Sequence, residues 1–288
     1  MNLKKSLLIA LFSFGIAQSA LAETSQEKFD RAIQLRGQQN YSAAFPLFKQ
    51  LAKQGYAHAQ LYLGAMYENG EGVAQDYKQA AYWLTKAAEQ GHAQAQFHLG
   101  VMYENGEGVA QDYKQAAYWY TKAAEQGFAL AQIYLGNMYK NGQGITQSDT
   151  QAVYWYTKAA EYGYAEAQLN LGWMYENGRG ITQSDTQAVY WYTKAAEKGD
   201  TIAQFNLGSM YKIGQGVAQD YKQALYWFTK AAEQGLAEAQ SILGAMYVLG
   251  EGVPQDLSKA KQLMEQACKN GEQNACKRYF MLDKKGIR

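Results

Sequence analysis

Glycine recurs every 36 residues along this chain, at Gly55, Gly91, Gly127, Gly163, Gly199, Gly235 and Gly271, and almost everything between two of them recurs with it. A period of this length confines the chain to an array of one supersecondary unit, each copy burying its apolar face on the next. The first half of a unit carries Ala-x-x-x-Leu-Gly-x-Met-Tyr, seen as Ala95, Leu99, Gly100, Met102 and Tyr103, followed by Gly106-x-Gly108-Val109. The second half reads Ala116-x-x-Trp119-x-x-x-Ala123-Ala124-x-x-Gly127. Apolar residues three and four apart predict two helices, each buried on one face. Asp112, or Ser148 in its place, is suited to cap the second helix, and Gly127 to end it in a left-handed turn. Each unit is therefore expected to be a helical hairpin.

Gly100 and its equivalents fall inside the first helix, where glycine costs about 1 kcal/mol relative to alanine. Their recurrence predicts close helix packing, with Trp119 filling the space beside Gly100. Trp83, Trp119, Trp155, Trp191 and Trp227 share one register, as expected of a packing position. With only 2 prolines among 288 residues, the chain is neither collagen-like nor a low-complexity linker. Before the repeats, Lys4 and Lys5 precede the apolar run Leu7 to Ala17, and Ala20-Leu21-Ala22 closes the segment. This reads as a secretory signal peptide over residues 1–22, cut after Ala22, because the run is too short for a membrane anchor. Glu23 follows rather than Cys, so the sequence gives no support for a lipid-modified N-terminus. No membrane span is expected after cleavage, and the location is secreted, periplasmic if the source is Gram-negative. The 27 basic and 26 acidic residues nearly cancel, and no basic block marks a nucleic-acid surface.

The motifs Leu-Gly-x-Met-Tyr-x-x-Gly-x-Gly-Val and Ala-x-x-Trp-x-x-x-Ala-Ala-x-x-Gly resemble the Sel-one-like repeat (SLR) family, an offshoot of the tetratricopeptide class with a longer loop in each hairpin. The resemblance covers residues 56–271 in six units and implies an all-α, right-handed αα-superhelical solenoid. Residues 23–55 lack Leu-Gly-x-Met-Tyr and resemble a shorter tetratricopeptide hairpin, expected to cap the N-terminal end. Residues 272–288 supply a further helix and tail as the C-terminal cap. Terminal units that deviate are what solubility demands of an array. An even cysteine count in an exported chain favours pairing. Cysteine-rich members of the family clasp the same turn with the same eight-residue spacing, so the resemblance implies a Cys268 to Cys276 disulfide. Two free buried thiols are the alternative.

Evidence of catalysis is thin. The Gly-x-Gly loops never continue into Gly-Lys-Ser/Thr and follow no predicted strand, so they are turns rather than phosphate cradles. Glu68, Glu71 and Asp76 lack the alternating carboxylates of a calcium loop. His58, His92 and His98 contain no i, i+4 pair, so no metal is assigned, and no cofactor is expected. Ser258-Lys259-Ala260-Lys261 matches Ser-x-x-Lys, but on the order of one match arises by chance, and the companion Ser-Asp-Asn and Lys-Thr-Gly elements are absent. A β-lactam-binding or β-lactamase-like enzyme is a third reading on this match alone.

Positions equivalent to 59, 63, 66 and 67 scarcely change between units, whereas 58, 62, 65 and 69 change widely. The second set forms one stripe of the first helix, beside its core stripe, where stacked first helices would line a concave groove. Its central part includes His98, Tyr134, Asn137, Asn170, Trp173 and Asn206, the expected protein-binding residues. Trp173 lies off the tryptophan ladder, and Ala65, Val101, Asn137, Ser209 and Ala245 hold its place elsewhere. It is either an interface anchor or a ring lying flat over a gap between units. Asn69, Asn105, Asn141 and Asn177 each precede the glycine that ends the first helix and are assigned a helix-terminal role. Relaxed surface drift is the bland account of the stripe. The resemblance implies a monomeric, noncatalytic scaffold or adaptor that holds a protein or peptide in its groove. An immunity or inhibitor protein that neutralises a toxic enzyme is the alternative.

Overall fold

The computed structural model describes residues 23–287, so the expected signal peptide lies outside the described residues. Fifteen α-helices and no strands occupy them. Two compact units divide the chain, 1–126 and 127–288. The first contains α1 (Ser25–Gly37), α2 (Tyr41–Lys53), α3 (Ala57–Asn69), α4 (Tyr77–Glu89), α5 (Ala93–Asn105) and α6 (Tyr113–Glu125). The second contains α7 (Ala129–Asn141), α8 (Asp149–Glu161), α9 (Ala165–Asn177), α10 (Asp185–Glu197), α11 (Thr201–Ile213), α12 (Tyr221–Glu233), α13 (Ala237–Leu249), α14 (Leu257–Lys269) and α15 (Gln273–Lys284). Within each unit every helix packs on the next.

The 36-residue period follows from this geometry. A 13-residue helix such as α3, the loop 70–76, a second 13-residue helix and the turn 90–92 complete one copy. Gly70 ends α3 in the left-handed conformation at φ 72°, and Gly91 does so beyond α4 at φ 86°. Asp76 accepts from the backbone amides of Lys78 and Gln79 at the start of α4, and Ser148 accepts from that of Gln151 at the start of α8. These caps satisfy amides that a helix start leaves without carbonyl partners.

Gly100 does sit at a close approach, but its neighbour is Tyr120 rather than Trp119. A Cβ on Gly100 would lie 2.6 Å from the Tyr120 ring; Gly136 and Gly172 meet Tyr156 and Tyr192 in the same way, and Gly208 meets Phe228. Successive helix residues point about 100° apart, so when one faces the partner helix its neighbour faces elsewhere. The tryptophans use that second direction. Trp191 on α10 packs on the cluster formed with α8 and α9, and Trp227 on α12 packs on the one formed with α10 and α11. Trp191 and Trp227 therefore join successive hairpins of the second unit, while the Tyr120 series closes each hairpin internally.

A buried glutamine in each first helix adds a polar clamp. Gln96 donates to the Ala88 carbonyl at 3.1 Å and accepts from the Gln126 side chain at 2.7 Å. Gln204 and Gln240 repeat both bonds, with Gln234 and Asn270 as donors. Lys198 stands where Gln126 would be, which leaves the buried Oε1 of Gln168 without a protein donor. Cys268 and Cys276 occupy the positions of Ala232 and Gln240 one repeat on, and they form a disulfide. A covalent link thus spans the two places that a side chain to carbonyl hydrogen bond spans elsewhere. Closing a loop of this size contributes at most about 2.5 kcal/mol on the chain-entropy account.

Overpacking a rigid ring costs about 1–3 kcal/mol. Gly136→Ala should therefore lower stability in urea unfolding by about that amount. Adding Tyr156→Ala should relieve the clash, so that the double variant loses less than the sum of the single losses. Strict additivity would show that the two residues do not meet.

Candidate functional site

The two middle positions of the varying stripe are half-buried along the first helices and the two end positions are exposed, and each unit carries its own part. In the first unit, Tyr62, Ala65 and Asn69 of α3 and Gln94 and His98 of α5 line a cavity of about 260 Å³, completed by Arg36, Leu61 and Glu68. Arg36 donates to both carboxylate oxygens of Glu71, at 2.7 and 3.1 Å, and its guanidinium stands 5.5 Å from the centre of the Tyr62 ring. Burial lowers the pKa of His98 and so favours the neutral imidazole. His58 and His92 approach edge to face at 4.7 Å, and no cluster of three or more metal-binding side chains occurs among the described residues.

In the second unit the stripe joins the ends of core side chains. Tyr156 and Tyr192 are fully buried, yet their hydroxyls reach the stripe. Tyr156 donates to Asn137 Oδ1 at 2.6 Å, and Tyr192 donates to Glu176 Oε2 at 2.6 Å. One of the expected binding residues, Asn137, thus satisfies a phenol that would otherwise be orphaned. Tyr134, Asn170 and Asn206 lie half-buried on the same stripe. The tyrosines were missed in the sequence, where the signal is one apolar position of the second helix that runs Leu84, Tyr120, Tyr156, Tyr192, Phe228, Met264.

Trp173 fills the packing role that the sequence set against that of an interface anchor. It is half-buried and packs against the clusters on both of its sides, the first including Met174 and the second Leu207. Lys140 Nζ lies 4.7 Å from its ring centre and the Arg179 guanidinium 5.6 Å away. Arg179 is itself held by Asp149 at 2.9 Å. A second cavity, of about 340 Å³, lies beside Ala245, with Leu249, Met264 and Met281 on its walls. Both cavities occur where the stripe holds alanine, at Ala65 and Ala245, whereas a tryptophan occupies the matching place at 173.

The Ser-x-x-Lys match does not form a site. Ser258 is exposed near the start of α14, and Lys261 Nζ is engaged by Asp283 and the Ile287 carbonyl, each at 2.7 Å.

Burial, followed for Tyr192 by the bond to Glu176, raises the pKa of both tyrosines above the ordinary value near 10. The unfolded chain therefore loses these protons at a pH where the fold keeps them. The stability they support is present below about pH 10 and is lost as pH rises beyond it. Tyr156→Phe with Tyr192→Phe should flatten the decline of the urea midpoint above that pH. An unchanged slope would mean that neither phenol is shielded.

The Sel1 repeat family profile matches seven segments, residues 29–56, 57–92, 93–128, 129–164, 165–200, 201–236 and 237–272. Its first segment covers much of α1 and all of α2, the hairpin whose sequence resembles a shorter tetratricopeptide unit. No curated protein matches the chain. Among solved structures, a protective antigen present in uropathogenic Escherichia coli strains, displaying an SLR fold, is 36% identical with a TM-score of 0.88. That match covers 93% of this chain and 58% of the antigen, so this chain spans less than two thirds of its length. A Sel1 repeat protein from Oxalobacter formigenes is 35% identical with a TM-score of 0.73, covering 83% of this chain and 96% of that one. The immunity protein Pa5087 from Pseudomonas aeruginosa is 20% identical with a TM-score of 0.42, covering 75% of this chain and 83% of that one, a likeness that carries no functional argument. With its helical hairpins, its glycine-seated rings and a profile match from residue 29 to residue 272, the chain belongs to the Sel1 repeat family.

Proposed function

We propose that this protein is an exported, noncatalytic scaffold that binds a protein or peptide through the varying stripe of its first helices. Sel1 and tetratricopeptide-like repeat proteins are generally noncatalytic scaffolds, and proteins of this kind bind proteins or peptides. The observation that carries the reading is a contrast within one repeat. Side chains that hold a hairpin together recur from copy to copy, whereas those of the stripe range from Ala65 to Trp173 and line cavities where they are small. Part of that variety answers the fold, since Asn137 receives the Tyr156 hydroxyl and Trp173 packs on two clusters, and the rest is what a partner would ask for. His98, Tyr134, Asn137, Asn170, Trp173 and Asn206 are the proposed contacts. A half-buried indole flanked by two cations has the large apolar face that dominates many interfaces. The disulfide suits an oxidising compartment, and no described helix is long and apolar enough to cross a membrane. We assign the protein to the periplasm if its source is Gram-negative, as a monomer.

Affinity capture from an envelope extract tests this reading. The wild-type chain and Tyr118→Ala, altered at an exposed ring on a second helix, should recover the same protein. Trp173→Ala should weaken that complex by about 30-fold, the loss of one hot spot. Asn170→Ala should weaken it with no change in melting temperature, which separates contact from folding. Undiminished affinity in both stripe variants would refute the assignment. A captured toxic enzyme whose activity this chain blocks would identify an immunity protein instead.

A further inference from the structure

The cavity of the first unit contains a charge that the fold does not use. Arg36, the one cation on its wall, is neutralised by the two-pronged bond to Glu71. Among the described residues, Glu68, in the last turn of α3, has no ion-pair partner and no side-chain hydrogen bond. Its nearest charged influence is Glu107, which repels it. Burial first, and Glu107 second, raise its pKa above the ordinary carboxylate value. A half-buried carboxylate without a cation is costly to maintain, and that cost falls when a cation arrives.

The remaining lining fits such an arrival. His98 as a neutral imidazole offers a ring nitrogen with a free lone pair. Asn69 directs its amide nitrogen toward Glu71 at 3.4 Å, which leaves its carbonyl oxygen to accept. Tyr62 supplies an aromatic ring, and Leu61 and Ala65 supply apolar surface. We propose that this cavity receives the side chain of a lysine from the bound partner, its stem along Leu61, Ala65 and Tyr62 and its ammonium at Glu68. The inference rests on the reading of the stripe as a partner-binding face.

Charge, shape and size each narrow the choice. An anion would meet the uncompensated Glu68, and a neutral apolar group would desolvate Glu68 and give nothing back. Ammonium has three donors that turn freely, matching acceptors on three side chains, Glu68, Asn69 and His98. Guanidinium is a flat fork that the two oxygens of Glu68 could accept side by side, but its fixed donor directions do not turn to Asn69 and His98 as those of an ammonium do. The five non-hydrogen atoms of a lysine side chain, at about 30 Å³ each, need about 150 Å³. The cavity offers about 260 Å³.

The test is a nitrogen-15 NMR titration of the whole chain with N-acetyl-lysine methylamide and with its norleucine and arginine counterparts. The lysine compound should shift the backbone amides of Ala65, Asn69 and His98 to saturation, the norleucine compound should not, and the arginine compound should bind more weakly. Glu68→Gln should weaken lysine binding by at least about 10-fold while the melting temperature stays unchanged, as expected of one charge-assisted hydrogen bond. Absent shifts, equal binding of norleucine or arginine, or an unaffected Glu68→Gln variant would overturn the assignment. If the captured protein still depends on Asn170, such a failure removes only the lysine cavity. If it does not, the partner-binding reading fails as well.

Discussion

Everything in this protein depends on an aromatic or aliphatic side chain seated against a glycine where the two helices of a hairpin cross. Tyr120, Tyr156, Tyr192 and Phe228 are fully buried, and the backbone of Gly100, Gly136, Gly172 and Gly208 forms the wall they touch. Any larger residue there would push the helices apart by the volume of its side chain, because cores are packed close to crystal density. The glycine weakens its own helix by about 1 kcal/mol. Burying a large ring returns about 1.5–3 kcal/mol, so the exchange favours the hairpin. Repetition then follows, since one hairpin leaves a face that only another copy can cover.

That contact also sets what the stripe can be. Once the ring is fixed behind the glycine, its far end emerges beside positions 137 and 176, where a tyrosine hydroxyl needs a partner. Asn137 and Glu176 provide one in the second unit. Where Leu84 or Met264 replaces the tyrosine, no hydroxyl demands a partner, and the neighbouring stripe holds Ala65 or Ala245 beside a cavity. Scaffold and stripe are thus coupled through one position of the second helix. The chain keeps its hairpins constant and alters its surface by changing what lies behind it.

The helices and their ends were legible in the sequence because each depends on a local rule. Asp76 and Ser148 cap, Gly70 and Gly91 terminate, and α15 spans Gln273–Lys284 as the last apolar pattern suggests. The ring beside Gly100 was not legible. Trp119 and Tyr120 are adjacent and both large, and a periodicity argument cannot separate directions 100° apart when both point inward. The packing of Trp173 was hidden for another reason. Its packing depends on Leu207, and its cations come from Lys140 and Arg179, so three different repeats meet on one ring. The unpaired state of Glu68 likewise depends on Arg36 being drawn to Glu71, a match made between hairpins.

The central claim is that hairpin-closing surfaces are scaffold and that the stripe of the first helices is where this protein meets others. Amide hydrogen exchange on the free chain and on its complex with the captured protein tests it most directly. The account predicts added protection in α3, α5, α7, α9 and α11, the helices that carry the stripe, with the exposed faces of α6, α8 and α10 unchanged. Protection centred instead on Tyr118, Tyr154 and Tyr190, the exposed rings of those second helices, would contradict it.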